Sequence, residues 1–171
     1  ARIARERITQ ENLANKITVH CKDFAQSDEL FAPETFDTVI FLESLGHSDR
    51  PDEVVKKMYN LLKPGGMIYV KDYFISESER VSAEKIAQVI NTINTAYCYN
   101  TQQLPELITS LRKAGFILDW IRNPDYAKDW RVVFEFEKRS GFDSWGGMEK
   151  FSQSEIFELR FHKPFNNQSG N

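Results

Sequence analysis

The sequence is short of the residues that would cross-link, anchor or charge it. Its two cysteines, Cys21 and Cys98, lie far apart in the chain. Neither a disulfide framework nor a thiolate metal site is therefore expected, and a reducing cytoplasm is the simplest location. His20 and His162 sit among polar neighbours on expected strand faces, and no His/Cys/Asp spacing argues for a metal. No apolar run reaches the roughly 20 residues that span a bilayer. The opening ARIARERITQENLANK has no apolar core like that of a signal peptide, so no membrane partner is expected. The net charge of −3, from 22 basic and 25 acidic side chains, gives no electrostatic reason for a nucleic-acid partner. The sequence also has no G-x-G-x-x-G, which argues against a nucleotide-binding oxidoreductase. It has no initiator Met and opens inside a helical pattern, with Ile3, Ala4 and Ile8 on one side. Helices rarely begin without a cap, so the chain is expected to be truncated at its N-terminus.

What is present is globular. With 171 residues, 41% of them hydrophobic, and 13 Phe, the chain can form one domain around a sizeable core. The apolar period switches repeatedly between strand-like and helix-like, the alternation that builds a parallel sheet covered by helices. Ile17, Val19 and Cys21 alternate like a strand exposed on one face. Phe36 to Leu42 (FDTVIFL) is nearly continuously apolar, as in a central strand buried on both faces. Pro51, Asp52 and Glu53 suit a first helical turn, with Val54, Val55, Met58, Leu61 and Leu62 as the inward stripe. Lys63 to Gly66 should stop that helix in a tight turn before a buried strand from Met67 to Val70.

Beyond Ser76 the pattern is polar, with Val81, Ile86, Val89, Ile90 and Ile93 at helical spacing. Residues 76–100 therefore read as a helical insert or cap within a single domain spanning 1–171. Thr101 is expected to cap a helix with Leu104, Leu107, Ile108 and Leu111 on one stripe, ended by Gly115 before a strand from Phe116 to Ile121. Asp125 to Arg139 fits either period and is read as a helix because the run is long. Ser140 to Ser152 reads as loop, and Ile156 to Phe161 alternates as a closing strand.

In open sheets of this kind ligands sit beyond the carboxyl ends of the strands. The residues there are Lys22-Asp23-Phe24, then Glu43-Ser44-Leu45-Gly46-His47, then Lys71-Asp72-Tyr73-Phe74. The run FDTVIFLESLGH, about a dozen helical residues, and LLKPGGMIYVKDYF together resemble the second half of a class I S-adenosylmethionine-dependent methyltransferase. Upstream, the AR-x-R and I-T-V-x-x-x-D-F segments are similar to the helix and third strand that precede it. Downstream, Ala114 to Phe116 and NPDYAKDW resemble the branch of cyclopropane fatty acid synthases and of sterol and phosphoethanolamine methyltransferases. The resemblance implies an α/β, Rossmann-like sheet flanked by helices, here without its first strands and their glycine-rich turn, and with a small helical insert. It implies methyl transfer from S-adenosylmethionine, leaving S-adenosylhomocysteine, to a small-molecule acceptor at C, N or O.

The resemblance also assigns roles. Asp23 would accept a hydrogen bond from the adenine amine, which suits an acceptor-only carboxylate, and Phe24 could pack on the ring. Glu43 would face the sulfonium or act as general base, since a carboxylate ending an apolar strand is costly to bury unpaired. Ser44 would be a neighbouring polar contact. His47 could be a base, because imidazole titrates in the useful range, or could cap the next helix. Tyr73, Tyr97, Tyr99, Tyr126 and Trp130 could line an aromatic acceptor pocket. Without the glycine-rich loop the chain should bind the cofactor weakly or not at all, and an exposed sheet edge points to a homodimer or swapped assembly. The competing reading is a non-catalytic methyltransferase-like scaffold.

Overall fold

The computed structural model describes residues 1–75, 82–124 and 154–165, together with Glu135 and Arg139. The apolar, β-rich run Phe36–Leu42 forms strand β1, which pairs in parallel with the 14-residue strand β2, Leu62–Ile75. Strand β3 covers Ile117–Arg122 and β4 covers Ser154–His162. The sheet order is β1-β2-β4-β3, and β4 runs antiparallel to both of its neighbours. The parallel sheet read from the alternation is therefore mixed, with the last strand in chain order inserted between β2 and β3. That insertion needs no crossover helix, because an antiparallel strand can return along the sheet through a simple connection.

Helix α1 is Arg2–Gln10 and helix α2 is Pro51–Leu61. Pro51 opens α2 where its missing N–H costs nothing, and Asp52 and Glu53 follow in the first turn where the dipole favours them. Val54, Val55, Met58 and Leu61 are buried, as the stripe requires. Helix α4, Leu104–Ala114, buries Leu107 and Leu111 and ends on Gly115 at φ 107°, a left-handed cap that glycine adopts freely. Helices α2 and α4 share one core with Phe41, Ile68, Val70, Phe74, Leu159 and Phe161. Helix α3, Ala83–Tyr97, starts on Ser82, whose side chain accepts from the Lys85 amide. Its buried Val89, Ile90 and Ile93 form a small separate cluster with Ile75, Ile86 and Tyr97.

The structure corrects several expectations. Residues 17–21 form no strand; the Val19 carbonyl accepts from Arg5 rather than from a ladder amide, and among the described residues no strand pairs with this segment. Strand β1 is buried on one face only: Val39 and Phe41 join the core, whereas Ile40 and Leu42 are 58% and 60% exposed. It also has a ladder partner on one side alone among the described residues. The tight turn expected at Lys63–Gly66 is an irregularity inside β2. The pairing jumps from Phe36 opposite Leu62 to Thr38 opposite Met67, and Gly65 takes φ 78° to absorb it. Thr101 does not cap α4, whose cap position is Gln103. Its amide and hydroxyl both donate to Asn94 Oδ1 instead, at 3.0 and 2.7 Å. Of the expected helix Asp125–Arg139, Glu135 and Arg139 are helical and form an ion pair. The rest of that segment, with Tyr126 and Trp130, the Ser140–Ser152 loop and the start of the expected insert at 76–81, lies outside the described residues.

Candidate active site

The carboxyl ends of β1 and β2 converge on the short 3-10 turn Leu45–His47. β1 ends at Leu42, and Glu43 turns the chain by adopting the left-handed region at φ 50°, with its amide donating to the Lys71 carbonyl at 2.7 Å. The Glu43 carboxylate is not an unpaired buried charge. It is partly exposed, Oε1 lies 2.7 Å from Lys71 Nζ, and Tyr73 OH donates to Oε2 at 3.4 Å. Contrary to expectation, Glu43 is thus no costly buried charge, since water and an ammonium offset it. Burial, with Glu43 next to it, raises the Tyr73 phenol well above its ordinary range and keeps it a neutral donor. Ser44 occupies the cap position of the 3-10 turn without a side-chain capping bond.

The group that is buried is Asp72. Period-two alternation puts it in phase with Ile68, Val70 and Phe74 on the covered face of β2, where it is 3% exposed. Its Oδ2 accepts from the Leu45 and Gly46 amides at 3.1 and 3.4 Å, and Oδ1 accepts from the Tyr73 amide at 2.9 Å and from Tyr99 OH. Desolvation pushes this carboxyl up to about 6, although the backbone amides pull the other way. Asp72 thus ties the turn after β1 to β2. Sequence reasoning noted the Lys71-Asp72-Tyr73 run but assigned Asp72 no role.

His47 is exposed at the end of its turn. Its Nδ1 lies 3.2 Å from the Cys98 carbonyl, and its ring meets Tyr99 edge to face with centroids 4.8 Å apart. Asp23 caps the 3-10 helix Phe24–Glu29: Oδ1 accepts from the Ala25 amide at 2.8 Å, which leaves Oδ2 for a ligand. Phe24 packs edge-on against Phe41 at 5.8 Å and belongs to the rim of the core. The structure brings Asp23 and His47 to one cavity of about 280 Å³, shared with Gln26, Ser48, Arg50 and Lys57. Glu43 and Ser44 do not line it. Among the described residues no group of three or more His, Cys, Asp or Glu is placed to hold a metal. No helix of the described residues is long and apolar enough to cross a membrane.

A mixed open sheet with polar side chains gathered beyond the carboxyl ends of its parallel strands is the Rossmann-like arrangement in which ligands occupy that end. The chain belongs to a methyltransferase-domain family, whose pattern it matches over residues 2–136. It is 25% identical over 130 residues to the methyltransferase GfsG of Streptomyces halstedii, a match covering 75% of this chain and 44% of that protein. It is 37% identical over 71 residues to the erythromycin 3''-O-methyltransferase of Saccharopolyspora erythraea, covering 42% of this chain and 22% of that one. Geranyl diphosphate C-methyltransferase from Streptomyces coelicolor A3(2), solved with Mg2+, geranyl diphosphate and S-adenosyl-L-homocysteine, shares the fold with a TM-score of 0.74 at 13% identity. That likeness covers 95% of this chain and 60% of the other. The chain's matches thus span less than half the length of these two curated relatives.

Proposed function

We propose that this chain carries out part or all of an S-adenosylmethionine-dependent methyl transfer to a small-molecule acceptor, and that the acceptor atom is a hydroxyl oxygen. The observation that carries the reading is the cavity shared by Asp23 and His47. Asp23 fits an adenine amine because one carboxylate oxygen caps a helix while the other accepts no hydrogen bond from the described residues. S-adenosylmethionine supplies the electrophilic methyl group. Phe24 gives the adenine end an apolar neighbour, and Ser44 is a polar contact at the turn. Glu43, held by Lys71 and Tyr73, is occupied on both oxygens, so it lends negative charge near the cofactor and leaves the base role to His47.

The O-methyl reading has two supports. An amine can attack without a base, but a hydroxyl must lose its proton, and an exposed imidazole at the end of β1 is suited to take it. The relative with the higher identity also has a 3''-O-methyl activity in its name. Much of the rate would come from holding the oxygen in line with the methyl group. Among the described residues one edge of β1 has no ladder partner, a place where a second copy could pair, so a homodimer is part of the same reading.

Isothermal titration with S-adenosylhomocysteine tests the cofactor half. Saturable binding is expected, and Asp23→Ala should weaken it about tenfold, the worth of a charge-assisted hydrogen bond of about 1.5 kcal/mol. Binding unchanged by Asp23→Ala would remove Asp23 from the site. No binding by this chain or by one extended upstream would favour the non-catalytic scaffold.

A further inference from the structure

Four separate links hold Cys98–Asn100 across the turn that bears His47. The Asn100 amide donates to the Gly46 carbonyl at 2.7 Å, and Asn100 Nδ2 reaches the Ser48 carbonyl at 3.5 Å. Tyr99 OH donates to Asp72, the same carboxylate that accepts the Leu45 and Gly46 amides. His47 Nδ1 faces the Cys98 carbonyl. Gly46 makes the approach possible, since a Cβ there would lie 2.2 Å from the Tyr99 ring. A carbonyl oxygen only accepts, so the Nδ1 that faces it must carry the proton. In the neutral imidazole that leaves Nε2 bare.

We propose that Tyr99 is a positioning residue for His47: anchored by Asp72, it holds the imidazole edge-on so that Nδ1–H donates to the Cys98 carbonyl and Nε2 is the proton acceptor. The proposal rests on the reading of His47 as the base and specifies which nitrogen does the work. Three elements converge on it. β2 supplies Asp72, the end of β1 supplies the turn with His47, and the segment leaving α3 supplies Cys98 and Tyr99. Cys98 takes the left-handed region at φ 51° as it leaves α3, and this is the residue whose carbonyl meets His47. A group that sets the tautomer of a catalytic histidine through its second nitrogen acts by orientation, and its removal leaves the imidazole present but wrongly protonated.

Long-range proton–nitrogen spectra of the 15N-labelled chain at about pH 8, above the ordinary imidazole range, report the tautomer directly. No acceptor is needed for this measurement. The parent protein should show His47 with its proton on Nδ1. Tyr99→Ala should lose that single pattern and give the mixed signal of a free imidazole. Gly46→Ala, which leaves Tyr99 in place but displaces its ring, should do the same. Tyr99→Phe keeps the edge contact and loses only the hydroxyl, so it should give a smaller shift in the same direction. A parent His47 protonated on Nε2 would overturn the proposal. So would an unchanged tautomer in Tyr99→Phe, the variant least able to disturb folding, together with either of the other two. Undiminished methyl transfer by His47→Gln would instead sink the base reading and leave the tautomer result standing.

Discussion

The centre of the sheet and the first 35 residues are built in opposite ways. In the centre, Leu62, Ile68, Leu111, Leu159 and Phe161 are fully excluded from solvent and interlock strands β2 and β4 with the helices over them. In residues 1–35 no residue is buried, and α1 contributes none to the core. That stretch nevertheless carries Asp23. It is held by small attachments: Phe24 on Phe41, Phe31 on Phe36 at 4.8 Å, and Lys57 reaching Asp28 at 2.9 Å. Cohesion and the proposed cofactor contact therefore fall in different parts of the chain. A ligand bound at Asp23 would add to the order of the weaker part by mass action.

The contrast can be broken at its strong end first. Phe161→Ala should cost about 3–5 kcal/mol, the usual toll for emptying a fully buried aromatic site, read as a lower urea midpoint at unchanged slope. A loss under about 1 kcal/mol would mean that the centre is not the cohesive unit. Asp72 gives the next largest effect, and it depends on pH. Its folded value of about 6 lies above the ordinary 3.8, so the native state holds a proton that the unfolded chain has released. Its contribution is fully present below about 4 and is lost as pH rises through about 6, an effect of roughly 3 kcal/mol at 1.36 kcal/mol per unit. Asp72→Asn should remove that slope, so the difference between parent and variant unfolding free energies should change over this window. A flat difference would deny that the carboxyl is buried as described. At the weak end, Ile3→Ala, at a side chain 72% exposed, should stay within about 0.5 kcal/mol of the parent. A larger loss would show that α1 is packed against something.

Much of the fold was legible because its cues are local. Pro51 with two acids, the apolar run of β1 and Gly115 each act within a few residues, and each marks an element found in place. The strand expected at Ile17–Cys21 failed for the opposite reason: alternation describes a face, but a strand needs a ladder partner that alternation cannot supply. The polar cluster beyond β1 and β2 was legible in its place along the chain and not in its wiring. A carboxylate placed on a buried apolar face must find partners, and the residue this governs is Asp72, inside β2, rather than Glu43, at the end of β1. Extending the alternation of Ile68 and Val70 by one more step would have placed Asp72 inside, which was the available signal. Its bond to Tyr99, 27 residues away, had no counterpart in the sequence pattern. Thr101 was read as a helix cap from its type, whereas the side chain of Asn94, one turn before the end of α3, claimed it.

The insertion of β4 between β2 and β3 bears on how the chain is made. Among the described residues β3 touches the rest of the sheet only through β4, and Met67 waits for His162 while Ile75 waits for Ser154. During synthesis, β1, α2 and β2 can pair as soon as they emerge, but β2 must keep one edge open and β3 has no place in the sheet until residues 154–162 arrive. Closure at such sequence distances is slow, and an open hydrophobic edge in the interval is an aggregation risk. A circular permutation that opens the chain between β3 and β4 makes β4 emerge before β2, and it should therefore raise the soluble yield more than it changes the final stability.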